Sequence, residues 1–309
     1  MLISICIPTY NSGTKLNRLL DSILIQTYKQ IEIVISDDSN NNDVKVNIDK
    51  HYSKLGIKYY HNAVALGTPN NWNHAVAKAT GEWIKLMHHD DWFNGDNALQ
   101  TFVNAAKAND KANLVFCSYS NVNLDNGHQH NIIASTFDIF LLKNNYLNLF
   151  KNFIGNPSCT LLRASQLSIY YDVRIKWFID FDFYLGYFKH HKAFAYIKEP
   201  LITFAIHKQQ VTTAVYKNPV VEVPEAYLLF EKHGITLLKN LFAYDFFWRM
   251  FRNLQLPDIS GLEYYLGKKN KYKAVSNIIT LQNGWAKRYL NIGIISKLLM
   301  LWGYCKNRL

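Results

Sequence analysis

The chain has 309 residues, a net charge of +11 and four cysteines. This length is sufficient for one large domain with an appendage or for two smaller domains. The cysteines lie far apart and form no Cys-x-x-Cys pair, which argues against a zinc ribbon or a disulfide scaffold and favours a reducing cytosol. The pattern predicts neither a signal peptide nor an apolar run of the ~18 residues that a membrane-spanning helix needs.

The positive charge is concentrated near the C-terminal end of the chain. Between residues 261 and 309, nine lysines and arginines accompany one acid, Glu263, which gives a net charge of +8. A basic terminal segment favours an anionic partner, either a nucleic acid or the anionic cytoplasmic leaflet of a membrane.

Short apolar runs alternate with helical patterns over the first 120 residues. The first strand is predicted at 2–8 and stops at Pro8, and a helix with leucines at helical spacing follows. Further elements follow in chain order: a strand at 31–36, a strand at 57–61, a helix at 70–79, a strand at 82–87 and a strand at 114–119. This alternation predicts an α/β fold with a parallel or mostly parallel central sheet flanked by helices.

Polar residues follow three of the predicted strands. They are Thr9-Tyr10-Asn11, Asp37-Asp38 and His88-His89-Asp90-Asp91. Ligands of such sheets bind at the carboxyl ends of the strands. Two adjacent acids are tolerated where a cation, a basic side chain or helix N-termini offset their charge, whereas the alternative is a solvated loop that caps the next helix. Because no Gly-rich dinucleotide or P-loop motif is present, neither of those sites is expected.

The motifs have a recognisable order. They are Ile5–Asn11, Glu32–Ser39, Asn71–Ala75 running into Ala79–Ile84, and His88–Asp91. This arrangement is similar to that of inverting family 2 glycosyltransferases with the Rossmann-like GT-A fold. The resemblance covers roughly residues 1–215 and implies a GT-A domain there, followed by a helical, basic extension at 216–309.

The resemblance implies transfer of a sugar from a nucleotide-diphosphate sugar, with a UDP-sugar favoured. The acceptor would be a hydroxyl of a bacterial cell-surface glycan, such as capsule or lipopolysaccharide, or of a polyprenyl-linked or other lipid-linked glycan. The implied donor-binding residues are Pro8, Thr9, Tyr10, Asn11, Asp37, Asp38, Asn71, His88, Asp91, His207 and Lys208. Of the two neighbouring acids at 37 and 38, Asp38 is the better candidate for contacting the nucleoside.

The corner at residues 88–91 is expected to hold Mn²⁺ or Mg²⁺, with Asp90 and His88 as ligands. The family's usual corner is Asp-x-Asp-Asp, and His88 stands where its first carboxylate belongs. Since imidazole suits Mn²⁺ better than Mg²⁺, His88 either shifts the metal preference or contacts a phosphate or ribose. The alternative is that His88 and His89 are ordinary, partly exposed loop histidines.

The resemblance also implies a general base in the segment Trp177–Leu185, where Asp180 would deprotonate the acceptor hydroxyl. Burial among aromatic residues would raise its pKa to a useful range. The alternative is that Asp180 or Asp182 caps a helix. Further along, His207 matches the family's closing Tyr-Arg-x-His segment.

Two smaller assignments accompany these residues. Ala205 replaces the arginine of the closing segment, and Lys208 is expected to supply the missing charge. Asn156–Cys159 is assigned to the acceptor side.

The C-terminal third contains a basic cluster at 268–273 and an apolar, basic segment at 285–302. The latter predicts an amphipathic helix on an anionic membrane, which implies a peripheral protein on the cytoplasmic face of the plasma membrane. The alternative is packing on the catalytic domain or on a second copy of the chain.

Two other function classes remain as alternatives. His88 and Ala205 are compatible with a catalytically impaired GT-A scaffold. The basic tail is compatible with a nucleic-acid-binding protein, although no nucleic-acid-binding module is present and no nucleic acid partner is expected.

Overall fold

The computed structural model describes residues 1–166, 171–206 and 215–308. The chain divides into two compact units. The first comprises residues 1–140, 152–173 and 186–208, and the second comprises 141–151, 174–185 and 209–309. The second unit thus takes residues from both sides of position 215, and the division of the chain into domains at that position stays a prediction.

The first unit is built around a central sheet, in which nine strands are found among the described residues. These are β1 Ile3–Thr9, β2 Ile31–Asp37, β3 Lys58–His61, β4 Trp83–Leu86, β5 Asp91–Phe93, β6 Leu114–Asn123, β7 Gln129–Ile132, β8 Thr160–Arg163 and β9 Ala195–Ile206. Their order is β3-β2-β1-β4-β8-β6-β9-β5, and β7 pairs with β6. The pairings among β1 to β4 and of β6 with β9 are parallel, and those that involve β5, β7 and β8 are antiparallel. The predicted α/β fold is confirmed, in a mixed sheet.

The helices of the described residues span both units. They are α1 Lys15–Leu24, α2 Asp43–His51, α3 Asn70–Ala77, α4 Ala98–Ala108, α5 Thr136–Asn144, α6 Ile179–His190, α7 Pro219–His233, α8 Leu241–Leu254, α9 Ile259–Leu266, α10 Lys273–Asn283, α11 Lys287–Leu290 and α12 Gly293–Arg308. Among the helices described, none combines the length and the apolar character that crossing a membrane requires.

The prediction of a single amphipathic helix over residues 285–302 is wrong in one respect. The segment forms two helices, α11 and α12, with a break after Leu290. Asn291 and Gly293 at the break are both weak helix formers, and α12 begins its own hydrogen bonding with Ser296 N–H donating to the Ile292 carbonyl (2.9 Å).

Strand β1 is central in the parallel part of the sheet. All seven of its residues are buried, and Ile3, Ile5 and Ile7 belong to the same apolar core as Leu16 and Leu19 of α1. A strand covered on both faces needs a continuous apolar run, which is why residues 2–8 show no polar alternation. The packing fixes the end of β1 at Thr9, after which the polar loop begins.

Glu32 joins three strands at the opposite edge of the sheet. Its carboxylate accepts hydrogen bonds from the N–H groups of Thr80 (2.5 Å) and Gly81 (3.0 Å), from Lys58 Nζ (2.6 Å) and from Ser4 Oγ. Position 81 admits only glycine, because an added Cβ would lie 2.5 Å from Ser4 Oγ and 2.9 Å from the Leu2 carbonyl oxygen. This contact sets the start of β4 and therefore the position of the corner that follows it.

The Glu32 contacts predict a pH-dependent stability. Burial alone would raise the pKa of this carboxyl, but hydrogen bonds from Lys58, Ser4 and Thr80 lower it from 4.5 to about 2. A lowered pKa contributes stability above about pH 4.5 that is lost as the pH falls toward 2. We expect Glu32→Gln to lower the free energy of unfolding by about 2–3 kcal/mol at pH 7, and by much less at pH 3, as measured by urea denaturation.

Glu82→Gln is the matched control, because the side chain of Glu82 is 53 % exposed. It should change the free energy of unfolding little at either pH. If Glu32→Gln lowers the free energy of unfolding by the same amount at pH 7 and at pH 3, the lowered pKa of Glu32 is contradicted.

Candidate active site

The ends of β1 and β2 carry the first group of predicted ligand-binding residues. Asp37 is fully buried. Its Oδ1 accepts from Thr9 Oγ1 (2.9 Å) and from the Ser39 N–H (3.0 Å), and its Oδ2 accepts from Tyr59 OH (2.6 Å). These donors occupy most of the carboxylate's accepting positions, so Asp37 holds the two strand ends together.

Asp38 shapes the loop that follows β3. Its Oδ1 accepts from Asn62 Nδ2 (2.8 Å) and the Leu66 N–H (3.1 Å), and Oδ2 accepts from the Gly67 N–H (2.8 Å). Asn71 of α3 is buried and donates through Nδ2 to the Thr9 carbonyl (3.1 Å). Oδ2 of Asp38 keeps accepting capacity, whereas its Oδ1 is committed to the loop.

The loop after β1 presents an aromatic ring. Pro8 and Thr9 are buried, and Tyr10 is 58 % exposed. Asn11 has a left-handed backbone (φ 47°) and donates its N–H to Ser39 Oγ (2.8 Å). The loop is therefore anchored on both sides of an exposed tyrosine.

The corner between β4 and β5 is braced from within. Asp91 is 3 % exposed, and its Oδ2 accepts from Ser158 Oγ (2.6 Å) and Asn156 Nδ2 (2.9 Å). Burial, and then the charge of Asp90, raise the pKa of the Asp91 carboxyl well above its ordinary value, while the two hydrogen bonds oppose the shift. Asp91 also closes the turn through its N–H to the His88 carbonyl (3.1 Å).

His88 has one ring nitrogen engaged and the other without a partner. Asn156 Oδ1 accepts the Ser158 N–H (2.9 Å), so the amide group of Asn156 points its Nδ2 at His88 Nδ1 (3.3 Å). Nδ1 is thus the acceptor and Nε2 carries the proton. Nε2 is buried and has no hydrogen-bond partner within the described part of the chain.

Burial lowers the pKa of the His88 imidazole to about 4, with Asp90 opposing the shift and His89 adding to it. The ring is therefore neutral at physiological pH. It lies 4.7 Å, centroid to centroid, from the ring of Trp72. A neutral imidazole with an unpaired Nε2–H can donate to a ligand oxygen or, in its other tautomer, bind a metal.

The corner fits a divalent cation in spacing and in ligand type. One ligand atom each from His88, Asp90 and Asp91 lies within 4.8 Å of the other two, a cluster found by searching the described residues. Carboxylate oxygens suit Mg²⁺ and Mn²⁺, and the buried, unpartnered Nε2 of His88 faces no competing protein group. Asp91 is hydrogen-bonded inside the corner through Oδ2, and the assignment of Asp90 as the carboxylate ligand of the cation stays a prediction.

The predicted base lies in the second unit, at the start of α6. Burial raises the pKa of Asp180 from 3.8 to about 6, although the Phe181 N–H donates to its Oδ1 (3.0 Å). Asp182 has a different environment, because Lys232 Nζ (2.6 Å) and His233 Nε2 (2.8 Å) both bind its carboxylate. The two acids therefore differ in role: Asp182 fixes α6 to α7, and Asp180 has no such ion pair among the described contacts.

The remaining predicted residues have separate outcomes. His207 and Lys208 lie outside the described residues. Asn156 and Ser158 are hydrogen-bond partners of Asp91 and His88, and their assignment to the acceptor side stays a prediction. The only local signal for this role is the Asn-Pro-Ser turn before β8, which carries side-chain donors and acceptors at a strand end.

Comparison with known proteins decides the family. Residues 4–168, slightly more than half of the chain, match the family model "Glycosyl transferase family 2". The chain belongs to glycosyltransferase family 2. The fold of this glycosyltransferase agrees: a solved structure of S. aureus TarS 1–349 in complex with UDP-GlcNAc has a TM-score of 0.66 at 15 % identity, covering 99 % of this chain and 92 % of that one. The predicted GT-A fold is confirmed.

Relatives of this glycosyltransferase include proteins of similar length. An uncharacterized glycosyltransferase of Rickettsia typhi is 24 % identical over 98 % of this chain and 87 % of its own. The GalNAc(5)-diNAcBac-PP-undecaprenol beta-1,3-glucosyltransferase of Campylobacter jejuni is 33 % identical over 29 % of each chain. The predicted enzyme class, a glycosyltransferase, is confirmed.

The corner geometry predicts unequal roles for Asp90 and His88 in cation binding. We expect Asp90→Asn to weaken Mn²⁺ binding at least about tenfold, because it removes an oxygen ligand and a charge. His88→Gln keeps an N–H donor near Nε2 and should change Mn²⁺ affinity less than about threefold. Electron paramagnetic resonance titration of free Mn²⁺ measures both affinities. Equal losses in the two variants would instead make the imidazole a metal ligand.

Proposed function

We propose that this enzyme transfers a sugar, with inversion, from a UDP-sugar to a hydroxyl of a lipid-linked or cell-surface bacterial glycan with the help of a divalent cation. The observation that carries the proposal is the unpartnered Nε2–H of His88 beside the carboxylates of Asp90 and Asp91 at the end of β4. Two solved structures of S. aureus TarS are complexes with UDP-GlcNAc and with UDP. The Campylobacter jejuni relative is named for an undecaprenol-linked substrate.

The nucleoside would lie at the ends of β1 and β2. The exposed ring of Tyr10 offers a stacking face for the base, and Asn11 fixes the loop that carries it. Asp38 would accept a hydrogen bond from the base or ribose through Oδ2, and Asn71 holds the Thr9 carbonyl in place. Asp37 would support this arrangement through its hydrogen bonds with Thr9, Ser39 and Tyr59 and would not contact the ligand.

The diphosphate would lie at the corner. Asp90 would hold Mn²⁺ or Mg²⁺, which supplies charge neutralisation for the departing nucleotide. His88 would donate its Nε2–H to a diphosphate oxygen, and Asp91 keeps the corner rigid through Ser158 and Asn156. His207 and Lys208 are proposed to contact the same group, on the basis of the family resemblance alone.

Asp180 would act as the general base. A carboxyl with a pKa of about 6 is ionised at neutral pH and yet basic enough to take a proton from a hydroxyl in the transition state. Glu225 supports this position, since its carboxylate accepts the N–H groups of Lys176 (2.7 Å), Trp177 (2.8 Å) and Phe178 (3.0 Å) in the segment that leads to α6.

The base assignment predicts a loss of turnover without a loss of donor binding. We expect Asp180→Asn to lower kcat by about 100- to 10,000-fold, with UDP affinity unchanged within about threefold. For wild type, kcat/KM should rise with pH through about 6 as Asp180 loses its proton. The assay uses the UDP-sugar that gives the largest thermal shift in a screen with Mn²⁺ and Mg²⁺.

Asp182→Asn is the matched control, two residues further along α6. It breaks the contacts with Lys232 and His233, and so should lower the Tm while folded enzyme keeps its kcat. Full turnover in Asp180→Asn would remove the base assignment. Donor binding without turnover in the wild type would favour the scaffold alternative.

We further propose that the second unit contacts an anionic membrane. Helix α12 exposes four large apolar side chains on one face, here called the C-terminal apolar face: Ile294, Leu298, Leu301 and Trp302. Their spacing of four, three and one residues gathers them within about a third of the helix circumference. An exposed apolar face of this kind marks a membrane or protein contact.

The charges around this face favour a bilayer over another protein. Lys287 and Arg288 of α11 are exposed nearby in sequence, and Lys306 Nζ lies 3.9 Å from the ring centroid of Trp302. No acid follows Glu263 in the sequence. Basic side chains beside exposed tryptophan suit an anionic headgroup region.

The basic cluster at 268–273 has another role. Lys268 and Lys271 pair with Glu231, and Lys269 pairs with Glu263. These lysines are therefore partly neutralised within the second unit, as is Lys297 of α12 by Asp245 (2.9 Å), so Lys287, Arg288 and Lys306 carry the proposed membrane charge. This placement is consistent with a peripheral enzyme that meets a lipid-linked acceptor at the inner face of the plasma membrane.

The membrane proposal predicts that substituting two apolar residues of α12 by glutamate weakens vesicle binding. Ile294→Glu with Leu298→Glu should reduce binding to phosphatidylglycerol-containing vesicles about tenfold or more, because both side chains lose apolar burial and repel anionic headgroups. Co-sedimentation measures the bound fraction. Val64→Glu, at an apolar position that is 80 % exposed in the first unit, is the control and should bind as wild type does.

Unchanged vesicle binding by the double variant would contradict the proposal. A wild-type dimer that becomes a monomer in the double variant, seen by light scattering, would show that a second copy of the chain covers the face instead.

A further inference from the structure

Lys85 is a fully buried lysine in strand β4, three residues before His88. Its Nζ donates to the carbonyl oxygens of Ser158 and Thr160 (3.1 Å for the latter) and lies 4.1 Å from the centroid of the Phe102 ring. Among the ion pairs of the described residues, none involves Lys85. Burial of an ammonium without a direct counter-ion is unfavourable, so an apolar residue would stabilise this strand better.

Burial lowers the pKa of Lys85 to about 8, while the thiols of Cys117 and Cys159 and the carboxyl of Asp91 act in the opposite direction. These three groups are the titratable neighbours of the ammonium. Asp91 is the member of this set that belongs to the corner.

Ser158 connects Lys85 to that corner. Its carbonyl accepts from Lys85, its Oγ donates to Asp91 Oδ2 (2.6 Å), and the same Oγ accepts the His88 N–H (3.0 Å). Ser158 therefore contacts the buried ammonium through its carbonyl, and it contacts Asp91 and the His88 backbone through its hydroxyl.

We propose that Lys85 is a positioning residue for the diphosphate site: it holds Ser158 and, through the Ser158 hydroxyl, fixes Asp91 and the His88 backbone in the arrangement that receives the donor. Its positive charge also offsets the charge of the Asp91 carboxylate. This role rests on the proposed function of the corner, and it explains why a costly charge is kept in an otherwise apolar strand.

The test compares Lys85→Met in two backgrounds, with UDP in the presence of Mn²⁺ as the probe and calorimetry as the measurement. In the wild-type background, Lys85→Met should weaken UDP binding about tenfold. In the Ser158→Ala background, where the hydroxyl link is already absent, the same change should weaken it less than about threefold. A merely structural lysine would cause the same loss in both.

Two further measurements keep the outcome clear. Leu99→Ala, a core change in α4, should lower the Tm and leave UDP affinity unchanged, which separates general destabilisation from positioning. If Lys85→Met does not fold, Lys85→Gln is measured in the same two backgrounds and judged by the same comparison.

The two proposals fail in different ways. Wild-type protein that binds no UDP with Mn²⁺ overturns the donor assignment and this inference with it. Wild type that binds UDP, with equal losses from Lys85→Met in both backgrounds or no loss in either, overturns the role of Lys85 alone.

Discussion

A buried carboxylate must be surrounded by hydrogen-bond donors, and this requirement organises the ligand edge of the sheet. Asp37 is satisfied by Thr9, Ser39 and Tyr59, and Asp91 by Ser158 and Asn156. Thr9 and Tyr59 lie 28 and 22 positions from Asp37, and Asn156 and Ser158 lie 65 and 67 positions from Asp91. Satisfying the acids therefore joins loops that would otherwise be independent, and the geometry of the edge follows from it.

The same requirement separates acids that support the site from acids available to a ligand. Asp37, Asp91 and Asp182 accept hydrogen bonds that hold separate chain segments together. Asp180 accepts from backbone N–H groups and has a raised pKa, and Asp38, which has three protein donors, keeps accepting capacity on Oδ2. Adjacent acids with equal chemistry thus acquire different roles, because burial and donors differ between neighbouring positions.

Charge in the two units is handled in contrasting ways. In the first unit, the buried Lys85 is linked to the acidic corner through Ser158. In the second unit, Lys268, Lys269 and Lys271 pair with glutamates at the surface. The exposed apolar face of α12 is the feature of this unit that indicates a partner. Where the dielectric is low, one charge has a large local effect, whereas surface charges act mainly through their sum.

The sequence by itself determined the α/β fold, because apolar runs such as 2–8 and 31–36 are long enough to mark buried parallel strands. It also determined which polar residues meet at the strand ends, since the carboxyl ends of β1, β2 and β4 share one edge of the sheet. Local pattern did not reveal that Asn156 orients His88, that Ser158 links Lys85 to Asp91, or that α11 and α12 are separate helices. The hydrogen bonds among these side chains join residues about 70 positions apart, and only the tertiary structure decides such pairings, because donors and acceptors carry no sequence periodicity. The separation of α11 from α12 depends on a break of two residues.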